Sequence, residues 1–409
     1  MIFAALSRPV AYLEKKRRPA LLVVIVLYLL GGVFYSVYLG NNLRYLPDEA
    51  DYFSLASNLA WHGKYSLDGI HATAFRPPGY PLLLAPFRFF GFNVIGLRIV
   101  NYLILGFCIL VLYRLLQERF SALAGLIAAF LMVAYPVVFY TAGTLYPQTL
   151  ASCLLVLSIS LYTSEPIQNW KIPLAGLLAG WLILTVPTFI FLVVIFMVWS
   201  WVYQKERIAA RILMFLIPAF LVVGAWSVRN FAVFNTFVFV STNSGENLLV
   251  GNSEYTTPNG GRTNDFSYFE SQAAGLDEIQ RDRYYRSQAI SYILNHKLDS
   301  LKMYFLKLLN FFNYRNEMVT SSESSTASDL VLLMTYGPLL ALTLIRLALS
   351  KLMPLTPFEI LLVSIYLASA LVEAVFFTRI RFRVPSDFML ILLGAVFISG
   401  LFERKEQNM

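Results

Sequence analysis

The chain has 409 residues, of which 58% are hydrophobic and 14% are charged, and its formal net charge is +8 at pH 7. A soluble domain has about 45–50% apolar and about 25% charged residues, so the long apolar runs indicate several membrane spans and exclude a mainly soluble protein. The basic residues lie in short clusters between these runs, which is a topology signal, and no nucleic-acid partner is expected. Cys108 and Cys153 lie inside apolar runs and predict neither a disulfide framework nor a zinc site.

The first apolar run, residues 21–38, follows four consecutive basic residues at positions 15–18. Basic residues beside a span favour the cytoplasmic side of the membrane. We therefore expect the N-terminus in the cytoplasm and the polar stretch 41–81 outside it. Apolar runs predict further spans at residues 94–112, 122–140, 144–162, 212–228, 331–349, 358–377 and 388–401.

The apolar run 172–202 is too long for one ordinary span and short for two. Lys171 precedes it and Lys205 follows it, which makes both of its ends cytoplasmic. A hairpin broken near Val186-Pro187 satisfies both observations, because proline interrupts a helix. The number of spans is then about ten, and the C-terminal tail is also expected in the cytoplasm.

No spanning segment is predicted between residues 229 and 328. Residues 277–314 place aromatic side chains among basic ones at helical spacing. This pattern predicts helices that lie on the membrane surface, and a small soluble pair of helices fits it equally well. The chain thus divides into an N-terminal transmembrane bundle, 1–228, an extracytoplasmic region, 229–328, and three C-terminal spans, 329–409.

Three acidic residues follow the first span, in the sequence Pro47-Asp48-Glu49-Ala50-Asp51. The apolar spacing after them predicts a helix that starts near Pro47, on which Asp48 and Asp51 share one face. Proline and acidic residues are also ordinary in the first turn of a helix, where the helix dipole favours them. On this pattern alone, a helix start explains the carboxylates, and a catalytic site is the alternative.

Arg379, Arg381 and Arg383 lie between the last two predicted spans, on the side that the span count places outside. Three arginines there run against the usual preference for basic residues inside. An anionic ligand such as a phosphate would compensate, because the guanidinium presents a planar fork of donors. Pairing with Glu373 and Asp387, or with lipid head groups, is the alternative.

A rigid turn is predicted in the first outer loop, where residues 75–81 read Phe-Arg-Pro-Pro-Gly-Tyr-Pro. Its prolines and glycine would carry Arg76 to the outer membrane interface. A plain connection into the next helix explains the same residues.

Taken together and in order, these segments resemble the GT-C membrane glycosyltransferases, in the bacterial branch related to protein O-mannosyltransferases and lipid A aminoarabinose transferases. The similarity covers most of the chain. It is carried by Asp48-Glu49-Ala50-Asp51-Tyr52, Ala56-x-Asn58-Leu59, His62-Gly63-x-Tyr65, Arg76-Pro-Pro-Gly-Tyr-Pro81 with Leu-Leu-Leu-Ala-Pro86, Trp226-x-x-Arg229-Asn230, Ser241-Thr-Asn-x-Gly245-x-Asn247-Leu, Gly251-Asn252 and Arg381-Phe-Arg383-x-Pro385.

The resemblance implies an all-α polytopic membrane protein: a GT-C-like bundle of about ten transmembrane helices with outer-face loops, one of them (residues 41–90) catalytic, and surface helices. It also implies that Asp48 supplies the catalytic carboxylate with Glu49 beside it, and that Arg76 meets the donor phosphate. The outer arginines and other residues of the matched segments are further candidates. The donor-phosphate candidates are Arg76, Arg379, Arg381 and Arg383, and the other candidate site residues are Asp51, Tyr80 and Asn247.

The sequence departs from the family pattern at two outer positions. Many relatives carry a Glu where this chain has Tyr146-Pro147-Gln148, and many read Leu-Thr-Arg-Pro where it has Leu184-Thr185-Val186-Pro187. Both positions belong to the usual substrate contacts, so the identity of the donor sugar cannot be carried over.

These residues favour an inverting glycosyltransferase in the cytoplasmic (inner) membrane, with its active site facing outside and a role in cell-envelope glycan or glycolipid assembly. A polyprenyl-phosphate-linked sugar, hexosyl or pentosyl, would be the donor, and a glycan, lipid or protein the acceptor. Transfer needs a carboxylate to deprotonate the acceptor hydroxyl and cations to stabilise the departing phosphate. No nucleotide-binding motif is evident, as expected for a donor linked to a membrane lipid.

Two other functions stay open at this level. A lipid-linked oligosaccharide polymerase or ligase would share the arginine–phosphate chemistry but needs no acidic helix start. A flippase-type transporter usually has internal repeats and ionisable residues near mid-membrane, and the span interiors here carry almost none. No cofactor is required by these residues; a divalent metal ion remains an open alternative, although the spacing of His62, His71 and the outer carboxylates fits no metal motif.

Overall fold

The computed structural model describes residues 17–44, 47–164, 170–204, 207–261, 264–315 and 326–407. Within these ranges the regular structure is helical, and β pairing is limited to one isolated bridge between Ser66 and Ala72. Lys205 and the basic residues 15 and 16, on which the topology prediction depends, lie outside the described ranges. The helices are α1 (Arg17–Leu39), α2 (Asp48–His62), α3 (Gly79–Phe89), α4 (Val94–Arg119), α5 (Ala122–Val133), α6 (Pro136–Ala142), α7 (Gln148–Tyr162), α8 (Lys171–Thr185), α9 (Phe191–Tyr203), α10 (Ile208–Phe234), α11 (Ser244–Gly251), α12 (Ser267–Gln272), α13 (Glu278–Asn295), α14 (Lys297–Phe311), α15 (Thr326–Ala348), α16 (Pro357–Glu373) and α17 (Ile380–Gln407).

Five of the described helices are long and apolar enough to cross a membrane, namely α1, α4, α10, α15 and α17. The pair α5 and α6 makes a sixth candidate, bent by 62° before Pro136. The remaining apolar helices α7, α8 and α9 are shorter than a full span, and α8 is separated from α9 by a 3₁₀ turn that begins at Pro187. The predicted break near Val186-Pro187 is therefore present, whereas the number of about ten spans stays a prediction.

Burial separates a central pair of helices from the peripheral ones. In their most apolar stretches α17 is 83% buried and α4 is 61% buried, whereas α1, α10 and α15 are only 22% buried. The exposed faces of the peripheral helices carry large apolar side chains such as Phe34, Leu221 and Met334. Faces of this kind are what a spanning helix presents to lipid. The helix that bears Arg381 and Arg383 thus lies at the centre of the bundle.

Helices α8 and α10 approach each other closely through two glycines four residues apart. A Cβ added at Gly176 would lie 2.1 Å from the carbonyl oxygen of Phe215, and one added at Gly180 would lie 2.8 Å from that of Ala219. Small residues at this spacing let helix backbones pack directly against each other in membranes. Any side chain larger than hydrogen at Gly176 would force the two helices apart.

The loop between α2 and α3 is joined to the segment that follows α10 by Glu278 at the start of α13. Its carboxylate accepts hydrogen bonds from the Thr73 hydroxyl (2.6 Å), the Ala74 amide (2.8 Å) and the Thr242 hydroxyl (2.6 Å). Arg229, at the end of α10, donates to the carbonyl of Thr73 (2.9 Å). The segment that leads to Arg76 is therefore fixed by residues far away in the sequence.

The helices predicted within residues 277–314 are present as α13 and α14. Helix α14 is amphipathic: Leu298, Phe305 and Leu309 are exposed, whereas Lys307 and Phe311 are buried against the rest of the protein. An exposed apolar face of this kind fits a helix that lies on the membrane surface, as the sequence pattern predicts.

Candidate active site

Asp48 lies between two arginines that come from distant parts of the chain. Its Oδ1 accepts a hydrogen bond from Nη2 of Arg76 at 2.6 Å, and its Oδ2 accepts one from Nη1 of Arg381 at 2.7 Å. Asp51, one turn further along α2, binds the same Arg76 guanidinium through Oδ2, at 2.9 Å to Nε and 2.7 Å to Nη2. The predicted shared face of Asp48 and Asp51 is thus confirmed, and it is turned toward Arg76.

Local sequence explains how the three elements deliver these side chains. Pro47 stands directly before the first helical residue, Asp48, so the carboxylate lies at the helix N-terminus, where the dipole favours negative charge. Arg76 precedes two prolines and the start of α3 at Gly79. A Cβ on Gly79 would lie 2.7 Å from the backbone nitrogen of Thr185, so only glycine lets this turn pack against α8.

The cluster, defined as Asp48, Asp51, Arg76 and Arg381, is partly shielded but reachable from solvent. The side chains of Arg76, Asp48 and Asp51 are 13%, 16% and 18% exposed, and that of Arg381 is 36% exposed. Burial lowers the pKa of Arg76, but the carboxylates of Asp48 and Asp51 outweigh this effect and hold it above its usual value. Both arginines therefore stay charged, and together they stabilise an ionised Asp48.

Aromatic rings flank both arginines. The guanidinium of Arg76 lies 4.9 Å from the ring centroid of Phe75 and 5.8 Å from that of Tyr52. Burial raises the pKa of Tyr52 to about 12, so its hydroxyl stays neutral near pH 7. Rings at this distance favour a cation over their faces and exclude water from its sides.

Tyr146 belongs to the stretch Tyr146-Pro147-Gln148, where the sequence departs from the pattern of the family it resembles, and it packs against Arg381. The Arg381 guanidinium lies 4.9 Å from the ring centroid of Tyr146, and 4.9 Å from that of Phe382 on the other side. The ring of Tyr146 thus supports the guanidinium of Arg381. The sequence identifies Tyr146 only as part of a departure from the family pattern, because nothing in the sequence links it to Arg381, 235 positions away.

Glu49 does not belong to the cluster, contrary to the expectation that it stands beside Asp48 at the catalytic centre. It is completely buried, and its carboxylate accepts hydrogen bonds from the amides of Arg44 (2.7 Å) and Leu145 (2.8 Å). Arg98 lies 3.8 Å from it. Successive residues of a helix point about 100° apart, so Glu49 faces the bundle when Asp48 faces the cluster, and its described contacts are structural.

Arg383 is also placed away from the cluster, so its expected contact with a donor phosphate is not supported. It pairs with Asp387 at 3.0 Å, lies 3.7 Å from the ring centroid of Tyr336 and donates to the carbonyl of Asn313 (2.7 Å). Its side chain is only 2% exposed. Pairing with Asp387, the alternative left open by the sequence, is the arrangement that the structure shows.

The other candidates occupy separate positions. Arg379, the residue before α17, has its guanidinium against Gly261, which lies between α11 and α12. Tyr80 is buried, with its hydroxyl hydrogen-bonded to Asn101 and its ring edge-on to Tyr52 at 5.5 Å, so it supports the cluster from behind. Asn247 is partly exposed on α11, and none of the described contacts joins it to Asp48. Among the described residues, no group of three or more His, Cys, Asp or Glu side chains is close enough to hold a metal ion.

Comparison with known proteins agrees with this architecture. Residues 76–226 match the family of dolichyl-phosphate-mannose-protein mannosyltransferases. No curated protein sequence matches the chain.

Among solved structures, the archaeal oligosaccharyltransferase AglB from Archaeoglobus fulgidus, in complex with an inhibitory peptide and a dolichol-phosphate, superposes with a TM-score of 0.54 at 13% sequence identity. This alignment covers 93% of the present chain and 50% of the AglB chain. The apo form of the Archaeoglobus fulgidus oligosaccharyltransferase superposes with the same TM-score at 14% identity, and 51% of its length is covered. ArnT from Cupriavidus metallidurans bound to undecaprenyl phosphate is 15% identical, with 92% of this chain and 77% of that one covered at a TM-score of 0.47.

The chain spans about half the length of the archaeal oligosaccharyltransferases. At this level of identity the likeness concerns the fold, whereas the family match concerns residues 76–226, which include Arg76 and the helices from α3 to α9. The resemblance to GT-C membrane glycosyltransferases is confirmed by this family match together with a fold shared over nearly the whole chain.

Proposed function

We propose that this protein is an inverting glycosyltransferase that moves a sugar from a polyprenyl-phosphate donor to an acceptor at the extracytoplasmic face of the cytoplasmic membrane. Asp48 is the general base, and Arg76 and Arg381 bind the donor phosphate. Cell-envelope glycan or glycolipid assembly is the process that such a reaction serves, with both chain termini in the cytoplasm.

One observation carries the proposal: the Asp48 carboxylate is held between Arg76 and Arg381, at 2.6 and 2.7 Å. A helix start alone needs neither arginine. The cluster unites a carboxylate and two cations in a partly shielded site, which are the groups required for acceptor deprotonation and for phosphate departure. Arg383 and Glu49 have buried partners of their own and take no part in it.

In the proposed reaction the acceptor hydroxyl gives its proton to Asp48 while its oxygen attacks the anomeric carbon of the sugar. The bond between that carbon and the phosphate oxygen breaks, and the polyprenyl phosphate leaves with the electron pair. Arg76 and Arg381 balance the negative charge that collects on the leaving phosphate. A single displacement of this kind inverts the anomeric configuration.

The comparisons support a lipid-linked donor at the level of the class. The matched family is named for dolichyl-phosphate-mannose, and the archaeal oligosaccharyltransferase was solved with a dolichol-phosphate. The sugar and the acceptor are left open, because the sequence departs from the pattern of the family it resembles at Tyr146-Pro147-Gln148 and at Leu184-Thr185-Val186-Pro187.

The test uses a strain that lacks the gene, in which the lipid-linked sugar that accumulates is identified by mass spectrometry. Complementation with Asp48→Asn should leave that lipid accumulated and lower the rate of transfer about 10²–10⁴-fold, because the variant keeps the shape and removes the base. Asp68→Asn is the matched control, since Asp68 lies in the same loop, is 50% exposed and pairs with His71.

The control should transfer sugar at about the parental rate, with equal amounts of all proteins in the membrane. Full complementation by Asp48→Asn would show that Asp48 is not the base. If no lipid-linked sugar accumulates in the deletion strain, the proposed reaction itself is wrong.

A further inference from the structure

A polar cavity borders helix α13, away from the Asp48 cluster. It has a volume of about 340 Å³ and is bounded by the segment that follows α10 and by one face of α13. Its polar lining comes from Thr236, Ser241, Ser244, Asp282, Arg283 and Arg286. This volume suits a small polar head group better than an extended chain.

The charge of this cavity is positive. Asp282 is the one carboxylate in its lining, and it already accepts hydrogen bonds from the amide of Gly245 (2.6 Å) and from Nη2 of Arg286 (2.6 Å). Arg286 also donates to the hydroxyl of Ser244 at 2.8 Å. Arg283 is exposed and has no hydrogen bond or ion pair among the described contacts. Two arginines against one satisfied carboxylate leave one positive charge, on a fork of donors that a phosphate fits.

The backbone on the other side of the cavity also favours an anion. The carbonyl oxygens of Val238, Phe239 and Val240 accept hydrogen bonds from Asn230 (3.1 Å), Ser227 (2.7 Å) and Trp226 (2.7 Å), all on α10. The amide N–H groups of residues 237–241 make no hydrogen bond among the described contacts. The acceptors of this segment are thus used within the protein, whereas these amide donors have no described protein partner.

The cavity stands at the end of a candidate membrane span. Phe237 and Phe239 follow α10 directly and are 69% and 38% exposed. Exposed aromatic side chains at the end of a span are typical of the membrane–water interface. The cavity is also on the same side of the bundle as the Asp48 cluster, because the amide of Thr242 donates to the carbonyl of Ala74 at 3.0 Å.

We propose that this cavity binds a phosphate group, carried by an anionic lipid at the outer interface, with Arg283 as the principal contact and Arg286 and Ser244 beside it. The inference does not rest on the proposed glycosyl transfer. A phosphate monoester on a lipid and a free phosphate share this chemistry, so the test presents both.

The test measures binding to the purified full-length protein in detergent by calorimetry, with dioctanoyl phosphatidic acid, inorganic phosphate and dioctanoylglycerol as probes. The parent should bind phosphatidic acid and not the uncharged dioctanoylglycerol. Arg283→Gln should weaken this binding at least about tenfold, because a charge-assisted hydrogen bond to phosphate is lost. Arg281→Gln is the matched control: it removes the same charge from the same helix, at an exposed residue outside the cavity lining.

Since Arg283 has no described partner, its replacement should leave the fold intact, which size-exclusion chromatography checks. Phosphatidic acid binding without phosphate binding supports a lipid ligand, and equal binding of both supports the same site with a soluble phosphate compound. Unchanged binding by Arg283→Gln, or an equal loss in Arg281→Gln, would overturn the proposal.

Discussion

Lys307 should make the stability of this fold depend on pH in a defined direction. Its side chain is completely buried, and its ammonium donates to the carbonyls of Gly251 (2.7 Å) and Phe376 (2.8 Å). Burial lowers the pKa of Lys307 from the ordinary 10.5 to about 7. The carbonyls satisfy the donors but supply no negative charge, so the cost of burying the cation is only partly offset.

The sign follows from the two pKa values of Lys307. Between about pH 7 and 10.5 the unfolded chain holds a proton on this lysine and the folded chain does not, so the free energy of unfolding rises with pH. Below about pH 7 both states are protonated and the full penalty of burial is present. One pKa unit corresponds to about 1.4 kcal/mol, which gives about 2 kcal/mol between pH 7 and 8.5 and about 5 kcal/mol over the whole window.

The assay is thermal unfolding in detergent, followed by the fluorescence of the six tryptophans, for the parent, Lys307→Met and Lys302→Met. Lys307→Met keeps the length of the side chain and removes the titrating group, whereas Lys302 is an exposed lysine of the same helix. Other groups contribute equally in all three proteins. The midpoint of the parent should therefore rise by a few degrees between pH 7 and 8.5 relative to that of Lys307→Met, since about 1 kcal/mol shifts the midpoint of a large domain by about 2–4 °C at most.

Lys302→Met should keep the pH slope of the parent. If Lys307→Met keeps it too, the ammonium is not buried as described and the reasoning fails. If the parent loses stability relative to Lys307→Met as the pH rises, the charged form is favoured in the folded state and the direction of the pKa shift is wrong.

Two further predictions concern the arginines and the membrane topology. Arg381→Lys keeps the charge but loses the two-pronged geometry, so the purified variant should bind the donor lipid about tenfold more weakly than the parent. Arg383→Lys should instead lower the unfolding midpoint, because it disrupts a buried ion pair. Equal donor binding by the parent and Arg381→Lys would show that Arg381 does not belong to the site. A membrane-impermeant thiol reagent should label the single-cysteine variant Lys64→Cys from outside, and Lys351→Cys only after the membrane is opened. Labelling of Lys351→Cys from outside would mean that the proposed orientation of the helices on either side of Lys351 is wrong.

Local patterns predicted the parts of the site that depend on neighbours in the sequence. Pro47 and the spacing of Asp48 and Asp51 predicted a helix start with both carboxylates on one face, and the helix begins at Asp48. The rigid Pro-rich turn predicted that Arg76 is presented at the outer side. These features depend on backbone geometry within one turn, which is why a short stretch of sequence contains them.

The difference between Arg381 and Arg383 could not be predicted in the same way. The predicted spans 358–377 and 388–401 assign no helix to these residues, and the structure begins α17 at Ile380. Side chains two residues apart on a helix are rotated by about 200° from each other, so Arg381 points to Asp48, whereas Arg383 points to Asp387. The partner of Arg381 lies 333 positions away, and no local pattern identifies such a pair.

Lys307 shows another limit of pattern reading. It is one of the basic residues of the 277–314 pattern, which predicts surface helices or a small soluble pair, yet it is buried, whereas Lys302 five residues earlier is exposed. A step of five residues turns a helix by about 140°, which places the two lysines on nearly opposite faces. Only the position of α14 against the segment after α16 decides which face is covered.

The pairing of Asp48 with both arginines also bears on the order of events in the proposed reaction. Each oxygen of Asp48 accepts a hydrogen bond from one arginine, at 2.6 and 2.7 Å, so a base that takes the proton of an acceptor hydroxyl must give up part of these contacts. In the proposed reaction a donor phosphate competes with Asp48 for the N–H groups of Arg76 and Arg381. An oxygen of Asp48 would then be released for the acceptor hydroxyl when the leaving group is in place. Acceptor deprotonation would thereby be coupled to donor binding.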